Sequence, residues 1–105
     1  VDLIFASAVA ELLPKNPSLV LEAAIPYRDR LNASDELFRR LIEKCGVIGV
    51  HGEKRHPHCY LKRNRFMVSQ SQRVIAVFDG REKGGTFYTV VCAFLYKRDV
   101  RIIKI

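Results

Sequence analysis

The sequence predicts an α/β domain, with a mostly parallel sheet of about four strands and helices packed on both faces. Three observations lead there. Helix-length and strand-length apolar segments alternate in the order α-β-α-β-α-β-α-β. No hairpin signal lies between consecutive strand runs, so each strand must return by a helical crossover, which makes its neighbours parallel. The run Val47–Val50, VIGV, is apolar throughout, as strands buried on both faces tend to be.

The elements follow in order. Leu3, Ile4, Ala8, Leu12 and Leu13 recur near helical spacing, which predicts a helix over 1–13 that Pro14 stops. Residues 15–18 form a turn. Residues 19–25, LVLEAAI, are a strand ended by Pro26, and 27–32 are a polar loop. Ser34 is the N-cap expected for a helix whose apolar face is Leu37, Phe38, Leu41, Ile42 and Cys45, with Gly46 as its stop. Val47–Val50 is the second strand, and 51–58 a loop. A basic helix is expected over 61–72, a third strand over 74–78, a loop over 79–85, a last helix over 86–97 and a fourth strand over 100–105.

Composition bounds the class. A chain of 105 residues makes one domain, assigned to 1–105. With 49% apolar residues it can bury a core, and no apolar run approaches the roughly 20 residues that span a bilayer. No basic segment precedes the first apolar stretch, so no signal peptide is read there. Cys45, Cys59 and Cys92 are odd in number and widely spaced, which favours reduced thiols and a cytoplasmic setting. The net charge of +7 favours anionic partners, namely nucleotides, nucleic acid or acidic surfaces.

The chemistry concentrates between Tyr60 and Thr89. Gly84-Gly85-Thr86 stands between an apolar strand and a helix start. Glycines admit close backbone approach to an anion, and the first helical N–H groups have no internal partner. Arg63 and Arg65 add full positive charge but diverge by about 200° on a helix, so they should take different partners. Asn64 could read a base or ribose edge, or only cap the helix start. Asp79 either accepts from a ribose hydroxyl or forms an Asp-Gly turn. Thr86 can serve the anion, cap the helix, or both. His51, His56, His58 and Cys59 match no zinc spacing and read as polar loop residues; no metal site is assigned. Cys92 falls on the apolar face of its helix and reads as core.

Arg63-Asn64-Arg65-Phe66-Met67-Val68, Ser71, Ile75-Ala76-Val77-Phe78-Asp79-Gly80, and Gly84-Gly85-Thr86 with Tyr88-Thr89-Val90 resemble the YpsA-like family of the SLOG superfamily. That superfamily also contains the LOG phosphoribohydrolases and the DNA-processing protein DprA. Ile25-Pro26-Tyr27 is similar to the end of a family strand, Cys59 is similarly placed before the arginine motif, and Val1-Asp2 looks like the end of a glycine-rich Gly-x-Asp turn. The resemblance implies a Rossmann-like three-layer fold and adds Pro26, Tyr27 and Asp2 to the ligand set. It implies binding of a nucleotide or nucleotide derivative, such as NAD or ADP-ribose. The family's first strand and glycine-rich loop are missing ahead of Val1, which suggests an N-terminally incomplete domain, or a homodimer that lends strands across its interface. Ser69 and Gln72 stand where the family usually has acidic residues. The LOG glutamate after Gly-Gly-x-Gly-Thr has no counterpart, because Phe87-Tyr88-Thr89 follow Thr86. Binding of a small nucleotide ligand is therefore the leading expectation. LOG-like hydrolysis of an N-glycosidic bond and DprA-like nucleic-acid binding are the alternatives, and the motif leaves catalysis open.

Overall fold

A computed structural model describes residues 2–105. Its elements alternate as the apolar pattern requires, and they fall into two compact units, Val1–Arg55 and His56–Ile105.

In the first unit, α1 (Asp2–Leu12) runs into a 3-10 turn at Leu13–Lys15, where Pro14 ends α-helical bonding. Strand β1 (Glu22–Ile25) leads through a 3-10 turn at Arg28–Asn32 to α2 (Glu36–Glu43) and β2 (Val47–Val50). β1 and β2 pair in parallel, with Glu22 opposite Val47 and Ile25 opposite Val50. β1 is shorter than the run 19–25 because its partner offers only four residues. Leu21 continues the pairing by one bond, its carbonyl accepting from the Gly46 N–H at 2.9 Å. The cap of α2 is Asp35 rather than Ser34: its carboxylate accepts from the Phe38 N–H at 3.2 Å. Both residue types cap well. The helix phase that buries Phe38 and Leu41 places the cap one residue beyond Ser34. Leu21, Ile25, Phe38 and Leu41 are buried here along with Pro26, and α1 packs beside α2.

The second unit contains α3 (Cys59–Gln70), β3 (Arg73–Phe78), α4 (Gly84–Leu95) and β4 (Asp99–Lys104). β3 and β4 are parallel, in register from Arg73 opposite Asp99 to Phe78 opposite Lys104. α4 crosses between them and packs on both, and α3 lies against α4. Val68 of α3 and Cys92 and Ala93 of α4 form the core, with Val74 and Val100 packed against it. Cys92 is a core residue, as its position on the apolar face predicts. Asn64 lies by Gly85, Arg65 bonds Tyr88, and Val68 packs with Cys92 and Ala93, so α3 and α4 run side by side in the same direction.

The turn from α4 to β4 is a Schellman motif. The Lys97 N–H donates to the Phe94 carbonyl at 3.0 Å and the Arg98 N–H to the Ala93 carbonyl at 2.9 Å. Lys97 takes the left-handed position, φ +58°, that glycine usually fills. Helix α4 therefore ends at Leu95, short of the expected Lys97. Arg98 then turns onto α3, its Nε and Nη2 donating to the carbonyls of Val68 (3.2 Å) and Ser69 (3.0 Å). Both carbonyls belong to the last turn of α3, where that of Val68 also accepts from the Ser71 N–H at 3.2 Å.

The α/β class and parallel pairing hold. The four strands form two two-stranded parallel sheets, β1-β2 and β3-β4, rather than one hydrogen-bonded sheet of four. Apolar periodicity specifies that a segment is a strand, but which strands pair depends on contacts between residues far apart in sequence. The basic helix begins two residues earlier than 61 and ends at Gln70, and α4 begins at Gly84 rather than Thr86.

Candidate functional site

The residues singled out between Arg63 and Thr86 all belong to the second unit, whereas Asp2, Pro26 and Tyr27 belong to the first. Asp2 opens α1 and is exposed. Pro26 is buried, with its carbonyl oxygen 2.8 Å from where a Cβ on Gly52 would stand, so glycine is required opposite it. Tyr27 precedes the 3-10 turn in extended backbone.

In the second unit, β3 ends at Phe78 and a five-residue loop, 79–83, leads to α4. Asp79 sets the loop. One carboxylate oxygen accepts from the Arg81 N–H at 3.0 Å and the other from Arg81 Nε at 2.6 Å. The Arg81 N–H, with its guanidinium, holds the Asp79 carboxyl below the usual carboxylate range. Asp79 is thus the turn former of the Asp-Gly pair, and Gly80 follows at φ +91°. Phe78 and Phe87 stack across the loop, ring centroids 6.4 Å apart, which ties the strand end to the first turn of α4.

Helix α4 opens on Gly84 at φ +93°. No side chain caps it: Lys83 offers no hydrogen bond there, and Thr86 is the third residue of the helix, not its cap. The cap expected of Thr86 is displaced because the glycine conformation already turns the chain two residues earlier. Gly85 lies outside the left-handed region, and a Cβ placed on it would meet only Asn64 Nδ2, at 4.0 Å. Gly84, Gly85 and Thr86 are all exposed. The start of α4 therefore combines exposed backbone, the positive end of a helix dipole and the Asn64 amide of the neighbouring helix.

The two arginines diverge as their spacing requires. Arg63 Nε donates to the Asn64 side-chain oxygen at 2.8 Å, and its guanidinium lies 5.8 Å from the Tyr60 ring centre. Arg65 donates from Nε and Nη2 to the Tyr88 hydroxyl, at 3.2 and 2.6 Å. That hydrogen bond raises the already high Arg65 pKa. Asn64 is thereby oriented: with its oxygen taken by Arg63, its amide nitrogen is the group beside Gly85. Tyr88 is the residue that reasoning from sequence missed. Its position four residues after Gly84 was visible, but its pairing with a residue 23 positions earlier was not.

Charge divides sharply between the units. Residues 1–55 hold eight Lys and Arg and eight Asp and Glu, while residues 56–105 hold ten against three. The whole excess of +7 therefore sits with the glycine turn. Two of the three carboxylates there are engaged, Asp79 by Arg81 and Asp99 by Arg73 and Arg101. Among the described residues, no group of three His, Cys, Asp or Glu stands close enough to hold a metal ion. No described helix is long and apolar enough to cross a membrane. No family model matches the chain, and no curated protein matches it as a relative.

Proposed function

We propose that the chain is a Rossmann-like domain of the YpsA-like SLOG kind. In this reading it binds a nucleotide or nucleotide derivative in the cytoplasm, with NAD and ADP-ribose as the ligand types to try first. The observation that carries the proposal is the glycine-opened start of α4, which no side chain caps, one short loop after parallel β3, with the Asn64 amide beside Gly85. The cationic excess of the same unit supports it. The parallel β-α-β connection within each unit supports the Rossmann-like reading of the fold. Gly84, Gly85 and Thr86 would meet phosphate, Asn64 would donate to the ligand, and Arg63 would orient Asn64. Arg65, held on Tyr88, would supply charge. Pro26, Tyr27 and Asp2 enter this ligand set through the family resemblance. LOG-like hydrolysis has less support, since α4 carries no carboxylate and Asp79 is tied to Arg81. DprA-like nucleic-acid binding has one observation in its favour, the charge of the second unit.

Calorimetric titration with ADP-ribose, NAD and ATP tests the reading, beside a single-stranded oligonucleotide over a salt series. A mononucleotide or dinucleotide should bind, and Gly85→Val should weaken the binding by filling the approach to the backbone. Arg63→Ala and Arg65→Ala should differ, with the more important of them costing about 1.5–3 kcal/mol, the range for hydrogen bonds to charged groups. Affinity for the oligonucleotide alone, falling steeply with salt, would replace this reading with the nucleic-acid one. Full affinity in a folded Gly85→Val protein would remove the glycine turn from the site.

A further inference from the structure

Helix α4, GGTFYTVVCAFL, contains no charged residue and is apolar on every side. Its inner side is accounted for: Val90, Cys92 and Ala93 are buried. Its outer side is not. Val91, Phe94 and Leu95, at the i, i+3, i+4 spacing of one helix face, are 38%, 60% and 75% exposed. A helix apolar all round ordinarily has cover on both sides. An exposed, contiguous apolar face marks an interaction surface.

The surroundings specify the chemistry of the cover. Lys83 immediately precedes α4, and Lys97 follows it after the C-cap Tyr96. Arg65 is held against Tyr88, one turn from Val91 on the same helix face. Neither α3 nor the segment 83–98 contains an Asp or a Glu. The apolar stripe therefore has a rim of one sign only, and the carboxylates of this unit lie elsewhere, in the loop after β3 and at the start of β4. Electrostatic complementarity then selects an anionic partner. A second copy of this chain would bring the same cationic rim against itself, in a unit already carrying the full +7. Nucleic acid would match the charge but leave Val91, Phe94 and Leu95 without apolar cover.

We propose that the outer face of α4 is a docking surface for an acidic polypeptide segment. Its apolar side chains seat on Val91, Phe94 and Leu95, and its carboxylates meet Lys83, Arg65 and Lys97. The surface shares Arg65 with the proposed ligand site but not the glycine turn, so Gly85→Val tells the two apart.

The test is a display selection of short random peptides on the intact chain, with a Phe94→Asp/Leu95→Asp variant as the parallel bait. Both side chains are largely exposed, so the variant should keep the wild-type circular dichroism; a Phe94→Ser/Leu95→Ser pair is the milder substitute. Peptides retained by the wild type and lost on the variant should combine Leu, Ile or aromatic residues with an excess of Asp and Glu. A selected peptide, followed by fluorescence anisotropy, should lose at least tenfold in affinity on the double variant and several-fold on Lys97→Glu. Added salt should weaken it, and Gly85→Val should leave it unchanged. Four results would overturn the proposal. One is enrichment of basic or uncharged peptides, and another is enrichment that ignores Phe94 and Leu95. The third is a dimer in sedimentation that disperses in the double variant, which makes a second copy the occupant. The fourth is Leu95-dependent binding of duplex DNA or phosphatidylserine vesicles with no peptide selected.

Discussion

Gly84 and Gly85 are neighbours in sequence, yet alanine should act on them in opposite directions. At Gly84 the space around an added Cβ is open, with nothing within 4 Å, so any cost is conformational. Its φ of +93° lies where an L side chain is strained. The penalty of left-handed backbone for a non-glycine residue is about 1–2 kcal/mol, so Gly84→Ala should destabilise by that amount. Gly85 begins regular helix, and a Cβ there meets only the flexible Asn64 amide at ordinary contact distance. Gly85→Ala should stabilise by about 0.5–1 kcal/mol, because alanine loses less backbone freedom on folding and is the better helix former. The two variants should therefore stand about 1.5–3 kcal/mol apart. For a small domain, each kcal/mol moves the thermal midpoint by roughly 4–8 °C. Urea unfolding is the assay, with an unchanged m-value as the sign that the folded and unfolded states keep their extent. Gly84→Asn should fall between wild type and Gly84→Ala, since asparagine tolerates positive φ. Losses of the same sign and size at both glycines would refute the argument, because they would mean that the turn is not held at Gly84. If Gly85→Ala gains stability but loses ADP-ribose affinity, the stability and binding roles of the turn separate within one variant.

Two further predictions follow from the second unit. Lys97→Gly should raise stability by about 0.5–1 kcal/mol in urea unfolding: relief of left-handed strain exceeds the added flexibility of glycine in the unfolded chain, and the Schellman bonds are kept. The Asp99 carboxyl, held below its usual range by the hydrogen bond from Arg73 and by the charge of Arg101, should contribute stability above the ordinary carboxylate range. That contribution is lost as pH falls through the depressed pKa, so Asp99→Asn should flatten the acid end of the stability–pH profile, an effect that shrinks in high salt because the pair is exposed.

Much of this molecule is written in short stretches of sequence. Element types and order follow from apolar periods that each segment carries alone, and Pro14 and the Asp79-Gly80 pair act where they stand. The absence of hairpin turns made parallel pairing legible. The opposite directions of Arg63 and Arg65 followed from helical geometry. Element ends were less legible wherever a residue did something its type does not advertise. Lys97 occupies a glycine position because the bonds from Lys97 and Arg98 to Phe94 and Ala93 close the turn regardless of side chain. Gly84 starts α4 by its own backbone conformation, so Thr86, the residue with a capping side chain, is left inside the helix.

Only the tertiary structure decided the partners. The pairing of β1 with β2 and β3 with β4, the Arg65–Tyr88 bond and the placement of Arg98 on the carbonyls of Val68 and Ser69 all join positions far apart in the chain. The same holds for charge. The +7 total is a property of composition, but its confinement to residues 56–105 has meaning only once the chain is seen to divide there. Local sequence sets what a segment can form by itself. Which surfaces meet is set by the packing of the whole unit, where each contact depends on several segments at once.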